Sequence, residues 1–132
     1  MLLREQLLAM CRNIYANLKE GGRFLTVNGN FDESGKCINT QQYGLPKLPD
    51  AESRYEGMPR TVTFTDKQGR TTDFTVYYFS QKTYRWAFKT AGFREIRWHG
   101  PKLSPEGLSE FGQEFWQNAL EHPIDWYIEC IR

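Results

Sequence analysis

Residues 18–28 read Leu18-Lys19-Glu20-Gly21-Gly22-Arg23-Phe24-Leu25-Thr26-Val27-Asn28, passing from the end of one apolar pattern through a glycine pair into another. Upstream, Leu3, Leu7, Met10, Ile14 and Leu18 recur at three and four positions, which predicts a helix from Leu2 to Leu18 with one stripe toward a core. Gly21 and Gly22 are expected to close that helix, because glycine takes the left-handed conformation without a Cβ penalty. Phe24 to Val27 then reads as a short buried strand. A helix delivered through a tight turn into such a strand is half of a parallel crossover unit, and it needs other strands beside it.

Working outward, Gly29 to Gly57 loses both periodicities and fills with Asn, Gly, Asp, Ser and Pro. A segment this long is expected either to lie as a functional lid at the ligand-binding end of the sheet or to be a poorly ordered connector. Arg60 to Thr65 alternates as a half-exposed strand with Val62 and Phe64 on one face. Asp66-Lys67-Gln68-Gly69 is its turn, and Thr71 to Phe79 returns with Phe74, Val76 and Tyr78 on one side, so an antiparallel hairpin is inserted here. Ser80 is the N-cap of a helix with Tyr84, Ala87, Phe88 and Ala91 inward. Gly92 and Phe93 close it, with Phe93 packing back on Phe88. Arg94 to Trp98 is the next strand. Ser104 and Pro105 open a further helix whose buried side is Leu108, Phe111, Phe115, Ala119 and Leu120, with Gly112 a point of kink or division and His122 a cap before Pro123. Trp126 to Ile131 is a last strand with Trp126, Ile128 and Cys130 on one face.

The 132 residues make one domain, 1–132, with a formal net charge of +1 and charges scattered throughout, which gives no electrostatic ground for nucleic acid or anionic lipid as a partner. Cys11, Cys37 and Cys130 lack CxxC or CxxH spacing, so neither a metal site nor a disulfide framework is expected, and reduced thiols suit a cytoplasmic protein. Arg4 and Glu5 interrupt the first ten residues, which excludes a signal peptide or membrane helix there. The motifs GxSxG, HExxH and GxxxxGK[ST] are absent, and no residue is assigned a catalytic role.

The stretch LKEGGRFLTVN resembles the fourth helix and fifth strand of class I S-adenosylmethionine-dependent methyltransferases. Thr90-Ala91-Gly92-Phe93 with the strand to His99, and Ser104-Pro105-Glu106-Gly107 through Phe115-Trp116, are similar to the end of the same family. The nearest branch is small-molecule methyltransferases similar to toxoflavin synthase. The resemblance implies an α/β fold: a partial Rossmann-like methyltransferase sheet, its C-terminal half only, with an inserted antiparallel β-hairpin. It places the family's glycine-rich cofactor turn and ribose-binding acid before the first residue, and no GxGxG occurs in the chain. The expectation is therefore a substrate-side portion that lacks S-adenosylmethionine-binding residues and is inactive alone, either completed by a separately encoded N-terminal half or the inert product of a truncated gene. The alternative is a non-catalytic binding or dimerisation module that uses the open sheet edge, which would make it a homodimer.

On that resemblance the small-molecule substrate is expected near Asn28, Asn30 and Phe31, which follow the strand equivalent to the family's fifth. Asn offers both donors and acceptors there, while the same residues also read as turn formers. Tyr77 and Tyr78 end the hairpin facing opposite ways, one of them a pocket residue or else a packed tyrosine. His99, at a strand end, stands where a general base could act on a substrate, or is a partly exposed histidine without a task.

Overall fold

The structure is a computed structural model that describes residues 3–30, 40–43, 54–123 and 125–132. In order it contains α1 (Arg4–Asn17), β1 (Arg23–Gly29), a 3-10 turn (Thr40–Tyr43), β2 (Pro59–Thr65), β3 (Thr71–Tyr77), α2 (Gln81–Ala91), β4 (Glu95–His99), α3 (Pro105–Glu121) and β5 (Asp125–Ile131). The main sheet has the order β1-β5-β4, and β2-β3 form a separate hairpin. β5 runs antiparallel to both neighbours, pairing Arg23 with Ile131 and Gly29 with Asp125 on one side, Glu95 with Ile131 and His99 with Tyr127 on the other. β1 and β4 thus share a direction without touching, and every pairing among the described residues is antiparallel rather than parallel. The apolar content explains who takes the middle: Ile128, Cys130 and Ile131 are buried, whereas Leu25 and Val27 of β1 are exposed.

α1 and α2 cover one face of this sheet, where Leu7, Cys11, Phe79, Ala87, Phe88, Phe93, Ile128 and Cys130 form the core. The inward stripe of α1 is not the expected one. Leu7, Leu8 and Cys11 are buried while Leu3 and Met10 are about half exposed, so the stripe follows 7, 11, 14 and 18 and leaves Met10 at its edge. Nor do the glycines cap α1. Leu18 leaves the helix in an extended conformation, and the guanidinium of Arg132 takes over the terminal carbonyls, donating to Tyr15 O at 3.0 Å, to Ala16 O at 3.3 Å and to Leu18 O. Gly21, at φ 72°, and Gly22 instead make the tight turn into β1, where a Cβ on Gly22 would lie 2.7 Å from Lys19 O.

α2 has the expected ends. Ser80 Oγ accepts from Thr83 N at 3.3 Å. After the helix, Gly92 N donates to Lys89 O at 3.1 Å and Phe93 N to Phe88 O at 3.2 Å, a Schellman closure, with the Phe88 and Phe93 rings edge to face at 6.0 Å. The hairpin turns at Asp66–Gly69, where the Asp66 carboxylate accepts from Gln68 N and Arg70 N. β3 stops at Tyr77, two residues short of the expected end, because Phe79 is drawn into the core; Phe74, expected on a packed face, is exposed. The side chains of Val62 and Phe64 lie outside the described residues.

α3 begins at Ser104, whose Oγ accepts from Gly107 N at 3.0 Å. Gly112 breaks it with φ 77° and ψ 162°, and His122 closes it. The break rotates the second segment relative to the first, so the expected continuous stripe does not exist: Leu108 and Phe111 are exposed and no α3 residue is fully buried. Its aromatics pack on each other instead. Trp116 Nε1 donates to Gly107 O at 2.9 Å, and Tyr43 stacks on Trp116 at 5.5 Å while its hydroxyl donates to Phe115 O at 2.8 Å.

Candidate functional site

Where β1 ends, the sheet, both helices and the hairpin leave a cleft of about 410 Å³. Each element contributes for a local reason. α1 presents Leu7 and Met10 from the side of its stripe; β1 presents Val27, Asn28 and Gly29; the hairpin brings Val76 and Tyr77 where its ladder ends; α2 presents Tyr84; and β5 starts there with Asp125. Apart from Asn28, Tyr77, Tyr84 and Asp125 the described lining is apolar, and Asp125 stands at its edge, since β5 alternates and turns that side chain to the face of Tyr127 and Glu129. Among the described residues none of these four side chains has a hydrogen-bond partner. Polar groups left without internal partners beside an apolar concavity are what a ligand site offers.

Their electrostatics follow from burial. Tyr84 stacks on Phe88 at 6.1 Å and meets Phe79 edge to face at 6.0 Å, and desolvation, aided by Cys11 and Glu56, pushes its phenol up to about 12. It is a neutral hydrogen-bonding group at any ordinary pH. Burial also raises the Asp125 carboxyl above the usual carboxylate range. Cys11 and Cys130, both free and in the core, have thiols raised by burial to about 11 and about 12 respectively, which makes them poor nucleophiles.

The residues expected at the site from sequence divide. Asn28 and Tyr77 come together in the cleft. Asn30 is buried and donates from Nδ2 to Pro123 O at 2.7 Å, tying the exit of β1 to the approach of β5; with Asn28, Trp98 and Trp126 it lines a much smaller neighbouring cavity. Tyr78 is buried outside the cleft, its ring 5.8 Å from the Arg54 guanidinium. Phe31 lies outside the described residues, as do most of the expected lid and Cys37. His99 is on the opposite face of the sheet: β4 alternates, so Trp98 points to the core and His99 away, where its Nε2 is 3.4 Å from Glu129 Oε2. Glu129, nearly buried, also meets Arg23 at 3.2 Å and Arg97 at 3.5 Å, and beside this group a shallow cleft of about 270 Å³ is lined by Leu25, Val27, His99 and Tyr127.

Two residues of the cleft escaped the sequence reading. Tyr84 carried the signature of a core stripe, and it is both core and lining. Asp125 was hidden because its address depends on register: only the pairing of Gly29 with Asp125 brings the start of β5 to the end of β1. Asp125 also borders a second cavity of about 390 Å³, with Tyr43, Lys102, Ser104, Trp116 and Tyr127. Among the described residues no group of three or more His, Cys, Asp or Glu could hold a metal, and no helix is long and apolar enough to cross a membrane.

Two solved structures share the fold of this chain. An S-adenosylmethionine-dependent methyltransferase from Mesorhizobium loti superposes over 97% of this chain and 56% of its own, with a TM-score of 0.54 and 15% identity. A candidate S-adenosylmethionine-dependent methyltransferase from Listeria monocytogenes superposes over 95% of this chain and 54% of its own, with a TM-score of 0.58 and 19% identity. The fold is shared with methyltransferases. The chain spans about half the length of the solved structures that it matches. No family model matches the sequence, and no curated protein does.

Chemically, the cleft can bind and orient a small molecule through the amide of Asn28 and the phenols of Tyr77 and Tyr84, with Asp125 at its edge. Among the described lining residues there is no cysteine, serine or histidine.

Proposed function

We propose that these residues form the substrate-side portion of an S-adenosylmethionine-dependent small-molecule methyltransferase, and that the cofactor is held by residues outside the 132. The observation that carries the reading is the antiparallel β5 seated between two co-directional strands, β1 and β4, in a fold that matches methyltransferases over nearly its whole length. In the family the last strand enters the sheet in this way, beside the fifth, and the substrate lies at the end of that fifth strand; here the same place is the cleft of Asn28, Tyr77, Tyr84 and Asp125. On this reading the main sheet is the C-terminal part of a Rossmann-like sheet, and the hairpin covers its ligand-binding edge. Methyl transfer from a sulfonium is a direct displacement, so the protein's task is to hold the acceptor in line with the methyl carbon rather than to supply a nucleophile. A cleft whose described lining offers orienting groups on apolar walls suits that task. S-adenosylmethionine would bring the activated methyl group.

The test is calorimetric titration of S-adenosylmethionine into the chain alone and into the chain mixed with any cofactor-side half encoded beside it. Binding is expected in the mixture only. Affinity on the order of micromolar for the chain alone would contradict the placement of the cofactor site.

A second reading, a binding or dimerisation module, draws on the exposed Leu25, Val27 and Tyr127 and on the edge of β1 that pairs with no described strand. Light scattering at high protein concentration tests the dimerisation form of this reading, since a monomer is incompatible with a module whose task is self-association.

A further inference from the structure

β5 carries Trp126 directly opposite Asn28 of β1, and β4 carries Trp98 opposite Ile128, two positions further along β5. Alternation puts all three side chains on the face that α1 and α2 cover, where both indoles pack against the core. The two rings meet edge to face with centroids 6.2 Å apart. Both of their Nε1–H groups are buried, and among the described residues neither has a hydrogen-bond partner. Trp116 supplies the contrast, since its Nε1 donates to Gly107 O at 2.9 Å. A buried N–H without an acceptor forfeits the bond that it makes to water in the unfolded chain, so two of them on neighbouring rings point to a missing acceptor. The same two residues line the small cavity beside the β1-end cleft, with Asn28, Asn30 and Tyr84. About 10 Å³ of it is open to the centre of a water molecule, which is room for one water. Asn28, Gly29, Phe79 and Tyr84 border both this cavity and the cleft.

We propose that this cavity is the site of one structural water, which accepts a hydrogen bond from each indole and directs its own two hydrogens toward the cleft. Water is the ligand that the chemistry selects, because it fits the space and combines two lone pairs for the donors with two hydrogens for acceptors. The acceptors at hand are the Asn28 carbonyl and the Tyr84 phenolic oxygen, neither of which has a hydrogen-bond partner among the described residues. Asn28 is thereby oriented. With Oδ1 on the water, its Nδ2 faces the cleft as a donor, and the opposite amide orientation would set N–H groups against the water's hydrogens. The indoles act on the cleft only through that water, so Trp98 and Trp126 are positioning residues. The water stands on the unpartnered donors and the cavity, while the use of the Asn28 donor on a methyl-accepting substrate rests on the methyltransferase reading.

The test is NMR cross-relaxation between water and the indole N–H protons of the 132-residue chain, with isotope-labelled tryptophan and asparagine. Trp98 and Trp126 should each show a direct cross-peak to water with the sign of a tightly held molecule. Trp116, already bonded to Gly107 O, should show no such peak. Trp126→Phe removes one donor, so the water's residence at Trp98 should shorten about ten-fold, roughly what one hydrogen bond is worth. Trp98→Phe should do the same at Trp126. Both variants should shift the Asn28 side-chain amide, whereas Trp86→Phe, which keeps both donors, should leave that amide and the two water peaks in place. No cross-peak at either indole, a cross-peak at only one, or unchanged residence after loss of the partner indole would each overturn the proposal. The wild-type spectrum needs no variant, so a substitution that unfolds the chain does not shelter the idea. Cofactor and substrate are absent from this assay, so the two readings fail separately. A dry pair of indoles would sink the water alone, and a chain that never supports methyl transfer would sink the methyltransferase reading alone.

Discussion

Gly92→Ala is the substitution whose cost can be worked most fully from the structure. Gly92 has φ 116° and ψ 0°, outside the range that side-chain-bearing residues adopt without strain, which costs an alanine about 1–2 kcal/mol. Its Cβ would also sit 3.0 Å from Cζ and 3.2 Å from Cε2 of Tyr15. That ring cannot easily withdraw, because Phe93 meets it edge-on at 5.3 Å and the Arg132 guanidinium lies 4.6 Å from its centre while bonded to the end of α1. Overpacking of this kind adds about 1–3 kcal/mol. Alanine's smaller unfolded-state entropy returns about 0.4–1 kcal/mol. The net loss is about 2–4 kcal/mol, which at about 4 °C per kcal/mol for a domain of this size is a fall in Tm of roughly 8–16 °C. Urea unfolding followed by circular dichroism should show the loss at constant m-value. Repeating the substitution in a Tyr15→Ala background removes the steric part and should leave only the backbone cost less the entropy return, about 0.5–1 kcal/mol. A loss below about 1 kcal/mol in both backgrounds would refute the reasoning, and an equal loss in both would show that the Tyr15 ring is no obstacle.

Three other perturbations separate the forces at work elsewhere. Ser104→Ala should cost about 1 kcal/mol through the lost bond from Gly107 N, read from the unfolding midpoint; an unmoved midpoint would mean that α3 does not depend on this cap. Because burial raises the Asp125 carboxyl, the folded chain binds that proton more readily than the unfolded chain, so its charge opposes folding above the raised value and the penalty disappears as pH falls through it. Asp125→Asn should therefore be more stable than wild type at pH 7 by a margin that shrinks on acidification, and a margin that grows instead would reverse the assignment. Cys11 and Cys130, with thiols near 11 and 12, should resist iodoacetamide at pH 8 in the folded chain and react as it unfolds, with the modified sites located by mass spectrometry; prompt labelling of either in the folded chain would contradict its burial.

What could be read from the sequence was what is local. Ser80, Gly92 with Phe93, Ser104 and the Asp66–Gly69 turn act through neighbours within five residues, and each does in the structure what its residue type announces. The errors came where a distant partner decided. Leu18 needs no glycine cap because Arg132 reaches back to it, and no pattern near Gly21 could disclose that. Met10 belongs to the periodicity but not to the buried face, since the packing of α1 on α2 and the sheet, not the count of positions, fixes which side turns inward. For the site, Asn28 was visible as a polar residue ending an apolar strand. Asp125 became visible only with the register of β5, and which face His99 takes could not be read, because a strand-end address does not say which side of the sheet a residue occupies.

The central position of β5 also governs the order in which the chain can assemble. Arg23 and Glu129, joined by an ion pair, are 106 positions apart, and among the described residues β1 and β4 have no partner in the main sheet except β5. On a ribosome adding about 5–20 residues per second, β1 emerges and then waits several seconds or more for the strand that will pair with it. Throughout that interval Leu25 and Val27, together with both backbone edges of β1, are presented to whatever else is in solution. The nascent chain is thus at its most adhesive long before it can fold, which makes it a natural client for chaperones that bind short apolar segments.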